Sequence, residues 1–561
     1  MGQNYSDDGA LSRLRQLAFT ASLVAAALLT GCGFPSNPSG TGACSAGTLV
    51  STEHGSPNFS ITPVNTDFTI YPGQTEQLTV QVNAGNSATG TVAISGISLP
   101  QGITVSSATA AMGSTATLTI SASNNVVAQC FTGIQYVFSA GRALTLTATQ
   151  GTASFTTQIP ITVVLENPAF VPTTTNLPIL SINTTDQAPI VSEDDYVDAT
   201  LTIADPTNAS NNYTGTLEIK GHGNSTWAEP KKPYRLNLDS KAALLGMTSD
   251  TNWILLANYD DKAMLRTDVS FYMSQLFGMA WTPNTAFVEV FLNNVYEGTY
   301  QLSEKVEVSK ARLDIGSIDT GDDSGTDLTG GYLGEIDHYD GETLMITAPN
   351  TGLPIGLADP DPPDAIQGAY FTAAFNAAEN SMYSANFTDP TTGWPAYWDQ
   401  DSLVDWFLIE ELAGNQDADD WSSDYFYKPR GDNLFYRGPV WDMDVTFGND
   451  NYGAIGSPNV PWVPTQARWY EQLFKDPTFV AAVKARWTAV RPLAATLPAY
   501  MDTRAAALTL TAQNNYSRWT TLDEVIWPNQ VAEGTYLGEV DYMKNWFNQR
   551  LAYMDANYLQ N

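Results

Sequence analysis

The chain has 561 residues, 59 acidic against 25 basic, and a formal net charge of -34. No basic run interrupts that acidity, so a nucleic-acid partner would meet long-range repulsion and is set aside. The length accommodates roughly three domains by the usual size prior, or equally one large domain plus a small one, with a sizeable core, while three histidines are too few and too scattered for a zinc site.

At the N-terminus, Arg13 and Arg15 precede an apolar run from Leu17 through Leu29 that breaks at Thr30-Gly31-Cys32. The run is too short to span a membrane and ends in small residues, which predicts a signal peptide over 1–31. Leu29-Thr30-Gly31-Cys32 resembles a bacterial lipobox, which implies acylation of Cys32 and a mature protein anchored through lipid. The expectation is an exported lipoprotein at the outer membrane or cell surface. Cys44 and Cys130 then remain as an even pair in an oxidising compartment, consistent with a disulfide or with two separate thiols. No other run of about 18 or more apolar residues exists, so no other segment is expected to cross a membrane.

Residues 32–57 are mostly Gly, Ser, Thr, Asn and Pro, and read as a flexible linker. Over 58–167 the pattern becomes short alternating strands, among them Leu78–Val82, Gly90–Ile94, Ala116–Ile120 and Leu144–Ala148. Their spacing predicts an all-β, immunoglobulin-like sandwich. It carries no convergent polar cluster, so it reads as a spacer or adhesive module.

A second domain, α+β in character, is expected over 175–561. Its strand-rich start runs from Leu177–Ile182 through Tyr213–Lys220 into the turn Gly221-His222-Gly223-Asn224-Ser225, and on to Tyr234–Leu238. Lys231 and Lys232 beside that turn are point charges suited to a polyphosphate, or a solvated turn. Asp261–Phe277 reads as a helix, and Phe287–Leu292 with Tyr300–Leu302 as a hairpin across Asn293-Asn294. Glu335 and Asp337 fall on one side of a strand over Gly331–Tyr339, a solvated face or a contact for lysine or metal. The acidic stretches Asp319–Asp327 and Asp359–Asp364 lack EF-hand spacing and read as mobile loops.

The chemistry concentrates further on. Ser402–Leu412 has helical periodicity and stops at Gly414-Asn415. Asp417 follows directly, then Tyr425–Lys428 and Leu434–Tyr436 form a hairpin, and Gly438–Asp450 closes the set with Asp442 and Asp444. On an extended backbone these two carboxylates would face one side and share a hard cation, with Trp441 and Met443 in the core. Helix, loop aspartate, hairpin and metal aspartate is the order used in phosphoryl transfer. At the C-terminus, Val540, Met543, Phe547, Leu551 and Met554 recur at helical steps, which makes Met543 and Trp546 core or interface residues.

The segment from about Leu177 to Leu559 resembles the CotH-type (spore coat protein H) kinases, an atypical protein-kinase-like family. The resemblance rests on Gly221–Trp227, Pro230–Leu236, Leu244–Met247, Trp253–Tyr259 with Asp261-Lys262, Val288–Asn293, Glu304–Glu307, Gly330–Tyr332 with Glu335, and Trp441-Asp442-Met443-Asp444. It implies a kinase-like fold using ATP and Mg²⁺ on a protein acceptor at the cell surface. Carried residue by residue, it implies Asp417 as the base or orienting group, Asp442 as metal ligand with Asp444 assisting, and Lys231, Lys232, Asn224 and Glu335 on the nucleotide. Asp417-Ala418-Asp419-Asp420-Trp421 departs from the family pattern, so Asp419 and Asp420 are alternative bases. Two other functions fit the sequence: a catalytically silent structural or adhesive surface protein, and a transferase of another group such as a nucleotidyl.

Replacing Cys32 by Ser is expected to move the protein out of the membrane fraction. A variant that still sediments with membranes would rule out the lipid anchor.

Overall fold

Alternation of Val, Leu and Ile with Thr and other polar residues gives strands with one apolar and one polar face. The computed structural model describes residues 51–559 except 66, 67, 72, 73, 98, 100, 101, 124–129, 132–135, 138, 165, 340 and 419. The expected signal peptide, Cys32, Cys44 and Asp419 lie outside the described residues, as does the Cys130 side chain with its expected disulfide. The described chain is multidomain and β-rich, with several sheets and a helical C-terminal part. It divides into two units, Met1–Phe170 with Tyr516–Ile526, and Val171–Asn515 with Trp527–Asn561.

In the first unit, β1 (Ser51–His54), β2 (Phe59–Pro63), β3 (Phe68–Ile70), β4 (Thr75–Ala84), β5 (Thr91–Ile97) and β6 (Ile103–Val105) are followed by six more strands. These are β7 (Ala108–Ala111), β8 (Thr115–Ala122), β9 (Cys130–Phe131), β10 (Tyr136–Val137), β11 (Ser139–Gln150) and β12 (Ala153–Val164). One sheet runs β1-β12-β11-β5-β7 with β3 added to β12, a second runs β2-β4-β8-β6, and β9 pairs with β10. Leu78, Val80 and Val82 on β4, Leu118 and Ile120 on β8, and Leu144 and Leu146 on β11 are fully buried. Each such side chain contributes about 1.5–3 kcal/mol relative to exposure.

The second unit opens with β13 (Ile179–Thr184), β14 (Val197–Ala204), β15 (Tyr213–Gly221), β16 (Tyr234–Ala242), β17 (Asp250–Leu256), β18 (Thr285–Leu292) and β19 (Val295–Glu304). They form a closed barrel in the order β13-β14-β15-β16-β17-β19-β18. Closure runs through the parallel pairing of β13 with β18, Ile179 opposite Glu289, which leaves no strand edge open. The hairpin turn falls at Asn293-Asn294, both at positive φ (51° and 66°), as a two-residue turn between twisted strands requires. Leu180, Leu201, Leu217, Leu236, Trp253 and Leu302 fill the interior.

A five-stranded sheet follows, in the order β21-β22-β20-β23-β24, from β20 (Tyr332–Ile336), β21 (Met345–Thr347), β22 (Pro354–Asp359), β23 (Asp424–Lys428) and β24 (Tyr436–Arg437). The helices are α1 (Arg266–Phe277), α2 (Ala365–Met382), α3 (Gln400–Ala413), α4 (Val463–Gln466), α5 (Arg468–Leu473), α6 (Pro477–Ala494), α7 (Leu497–Arg518) and α8 (Tyr536–Tyr558). Among the described residues no helix is long and apolar enough to cross a membrane. Helix α3 starts on the Asp399 carboxylate, which accepts the Ser402 amide, and ends at Gly414 in the left-handed region, where glycine carries no steric cost. Met543 and Trp546 on α8 are buried, as their spacing predicts.

Three local expectations differ. Helix α1 begins at Arg266 rather than Asp261, because the Asp261 carboxylate gathers the amides of Ala263 and Arg266 and Met264 adopts positive φ. Asp359 ends a strand and Asp364 caps α2 in a capping box with Gln367, so both ends of that stretch are anchored in regular structure. The Asp319–Asp327 segment is tied down by Arg430, which pairs with Asp322 and Asp327.

Helix α3 is buried along most of its length, including Glu411, whose carboxylate meets Arg550 of α8 at 2.8 Å with both side chains at 0% exposure. The amides of Trp462 and Val463 complete the shell of Glu411. Arg550→Met strands that carboxylate and is expected to destabilise the second unit by about 3–5 kcal/mol, measured as a lowered unfolding midpoint. A change below about 1 kcal/mol would show that the pair is not load-carrying.

Candidate active site

Three chain segments of the second unit bring aspartates together. The first is the loop after β17, where Asp260 and Asp261 are both buried. The Asp260 carbonyl is held by the side-chain amides of Asn449, at 3.5 Å, and Asn529, at 2.6 Å. Asp261 is consumed by the Arg266 guanidinium, which also reaches the Thr446 carbonyl at 2.9 Å. The second is the C-terminal end of α3, where Asn415 accepts the Asp417 amide on its side chain at 3.2 Å.

The third segment is Val440–Asp450, and here the extended backbone expected of Asp442 and Asp444 is not found. No strand covers these residues, and Asp442 sits at φ 59°, so two-residue alternation does not orient the carboxylates. Side chains hold the segment instead. Asn415 donates to the Asp442 carbonyl at 3.2 Å, Thr446 to that of Met443 at 2.6 Å, and Asn449 to that of Asp444 at 3.0 Å. Asp450 gathers the amides of Tyr452, Gly453 and Gly456. Met443 is in the core as expected, and Trp441 is half-buried against Phe271 at 5.9 Å.

These aspartates are close enough to perturb one another. Burial raises the Asp444 carboxyl well above the usual range, and Asp260, Asp442, Asp417 and Asp261 raise it further. Asp260 is pushed to about 7 by burial and by Asp261. Burial also raises Asp442, offset by a hydrogen bond from Ser423. Glu229 joins the group, raised by burial, Asp260 and Asp444, with one carboxylate oxygen buried and lacking a hydrogen-bond partner. Among the described residues no lysine or arginine forms a salt bridge with Asp260, Asp442 or Asp444. Arg266 offsets the rise at Asp260, and Lys232 and Lys231 that at Glu229, only in part; an oxygen-only, acidic donor set suits a hard divalent cation.

Of the alternative bases, Asp420 is buried and accepts the Arg468 amide at 2.6 Å, at the start of α5. It therefore anchors that helix. Asp417 is half-buried and within electrostatic reach of Asp444 and of the Tyr339 hydroxyl.

Glu335 is on the central strand β20, between β22 and β23. That position buries it together with Asp337, each 7% exposed, which removes the solvated-face alternative. Oxygens of Glu335, Asp337 and Glu342 lie within 4.8 Å of one another, a grouping among the described residues to which Asp442 and Asp444 do not belong. Burial raises Glu335 strongly, and its contact with Glu342 adds to this.

On the nucleotide side expected from sequence, Asn224 is exposed in the turn after β15. Lys231 is 1% exposed, with its ammonium on the Thr299 carbonyl and on Asn515 Oδ1 at 3.0 Å. Lys232 is half-buried, bonded to the Trp227 carbonyl and 5.1 Å over the Trp227 ring. Sequence reasoning passed over Asp260, Glu229 and Glu342. Asp260 was open to detection, since Tyr259-Asp260-Asp261-Lys262 directly follows a strand; Glu229 and Glu342 carry no comparable signal.

A family model described as "CotH kinase protein" matches residues 219–554, more than half of the chain. No curated protein matches it. A solved structure of surface layer protein SbsC, domains 4–9, is similar at 17% identity over 43% of this chain and 30% of that one, with a TM-score of 0.14. The chain thus spans less than a third of that structure.

The raised Asp260 pKa fixes a sign for pH dependence. Between about 4 and about 7 the folded state holds a proton that the unfolded state has released, so this contribution to stability is full below that window and lost as pH rises through it. Asp260→Asn is expected to flatten that part of the stability profile in chelator and to raise the melting temperature at pH 8. A variant that melts no higher than wild type at pH 8 would contradict an uncompensated charge there.

Proposed function

Because the chain belongs to the CotH kinase protein family, we propose that it transfers the γ-phosphate of Mg²⁺-bound ATP to serine or threonine hydroxyls of a surface or secreted protein. The observation that carries this reading is the convergence of Asp260, Asp417, Asp442 and Asp444, in which Asp444 is raised by the other three. Phosphoryl transfer depends on positioning and charge neutralisation more than on covalent protein chemistry. A recess in which Asp260, Asp442 and Asp444 form no salt bridge among the described residues suits that.

Asp442 and Asp444 would hold Mg²⁺, which supplies positive charge to the phosphate oxygens when bound. Asp417 orients the acceptor hydroxyl and takes its proton. Asn224, Lys231, Lys232 and Glu335 belong to the nucleotide side, with Lys231 holding the wall through Thr299 and Asn515. In this reading the protein is exported, acylated at Cys32, and carries its first unit as an immunoglobulin-like spacer between membrane and kinase. An acceptor protein at the same surface is the implied partner.

The full chain is expected to bind Mg²⁺-ATP in calorimetry and to transfer label from γ-phosphate-labelled ATP. Asp442→Ala should abolish Mg²⁺-dependent binding with the fold intact. Asp417→Ala should keep binding and lose transfer by several orders of magnitude, as expected for a positioned group. Wild type that binds no ATP up to millimolar concentration would overturn the kinase reading, and binding without transfer would leave a silent scaffold.

A further inference from the structure

One outward row of the barrel carries charge of the opposite sign. Lys220 on β15 and Arg235 on β16 are direct cross-strand partners, an arrangement in which like charges repel. The row continues through Ile254 on β17 and Ser303 on β19, and Lys305 stands two residues beyond Ser303 where β19 ends. The alternate residues Ile219, Leu236 and Leu255 belong to the barrel interior, so this row looks outward. It is nevertheless covered, with Ile254 at 1% and Ser303 at 0% exposure. Lys305 lies within electrostatic reach of Glu307, Asp359 and Glu335, and the last two set this end of the row beside β22 and β20.

Four buried arginines elsewhere in the second unit are neutralised. Arg266, Arg312, Arg437 and Arg550 each meet a carboxylate. Lys220, Arg235 and Lys305 form no salt bridge among the described residues. The Arg235 Nε is buried without a partner, and its Nη2 reaches only Asn252 Oδ1 at 3.5 Å. The Lys305 ammonium donates to the adjacent Val306 carbonyl at 3.1 Å, and that of Lys220 lies 5.0 Å over the Tyr196 ring. His222, in the glycine turn, is held neutral: burial, then Arg235, Lys305 and Lys220, lower its pKa to about 3. A chain with only 25 basic residues has gathered three of them in one place without a salt bridge among the described residues, with Glu193 and Asp194 within electrostatic reach of Lys220 and Glu307, Asp359 and Glu335 within that of Lys305.

We propose that Lys220, Arg235 and Lys305 form a polyphosphate-binding wall, the cationic half of the site whose acidic half is Asp260, Asp442 and Asp444. Its assignment to a nucleotide rests on the kinase reading; the anion site itself does not. Lys231, with its ammonium already on Thr299 and Asn515, holds the barrel wall while these three meet the phosphate oxygens. Guanidinium and ammonium groups supply the charge-assisted hydrogen bonds that a linear triphosphate accepts along its length.

The full chain is titrated by calorimetry with inorganic tripolyphosphate and, separately, with Mg²⁺-ATP. Wild type is expected to bind both. Arg235→Gln and Lys305→Gln should each weaken tripolyphosphate about tenfold or more, and Lys475→Gln, at an exposed lysine, should not. Both glutamine variants should melt no lower than wild type, since each relieves repulsion; a purely structural pair of cations would melt earlier when neutralised. If a variant does melt early, wild type alone decides: tripolyphosphate must raise its melting temperature, and the His222 imidazole, one of three histidines, must titrate higher when the anion is bound. Wild type without tripolyphosphate affinity, or both variants with unchanged affinity, overturns the proposal. Mg²⁺-ATP binding with unaffected variants removes this wall and keeps the kinase reading. Variant-sensitive tripolyphosphate binding without Mg²⁺-ATP binding removes the kinase reading and keeps the wall.

Discussion

An ionised carboxylate taken out of water needs a cation, and the second unit gives cations to some of its buried acids and withholds them from others. Asp261, Glu304, Glu411 and Asp424 each have an arginine. Asp260, Asp442 and Asp444 have none among the described residues, although Asp260 is the immediate neighbour of a paired aspartate. Breaking a buried pair costs about 3–5 kcal/mol, so leaving several acids unpaired is a standing expense that packing elsewhere must offset. The contrast separates acids that hold the fold from acids that are kept for a ligand.

The frame around the recess follows from that constraint. Mutual repulsion would drive the three segments apart, and the ties across them are mostly neutral amides. Asn415 joins the end of α3 to Asp442, while Asn449 and Asn529 bind the Asp260 loop to the segment carrying Asp444. Amides grip backbone carbonyls without neutralising the carboxylates. A cation in the same frame, Arg266, is taken up by Asp261 and the Thr446 carbonyl. The segment also accepts an unfavourable backbone at Asp442, φ 59°, a conformation that only surrounding contacts sustain.

Much of this was legible in the sequence, and the gaps have identifiable causes. Strands with period-two patterning, the Asn293-Asn294 turn and the Gly414 stop of α3 were readable because local chemistry dictates them. The Asp417, Asp442 and Asp444 set was readable as an ordered pattern, but its backbone was not. Trp-Asp-Met-Asp looks like an alternating strand, and only tertiary ties make it an irregular loop. Glu335 stayed open between a wet face and a contact for lysine or metal because its strand reads the same whether it is central or at an edge; the neighbours that bury it, β22 and β23, come from later in the chain. Lys231 and Lys232 look free beside a glycine turn, whereas the partner of Lys231, Asn515, is supplied by α7 far downstream.

The membership of Tyr516–Ile526 in the first unit bears on the order in which the protein is made. Within that unit Arg518 pairs with Glu166 and its carbonyl receives the Asn167 amide, and Trp519 and Ile526 are 2% and 0% exposed. The first unit is therefore incomplete when residue 170 leaves the ribosome, and it waits for a segment synthesised after nearly all of the second unit. Contacts so distant in sequence are slow to form. The chain consequently spends most of its synthesis with Glu166 and the Asn167 amide still lacking Arg518.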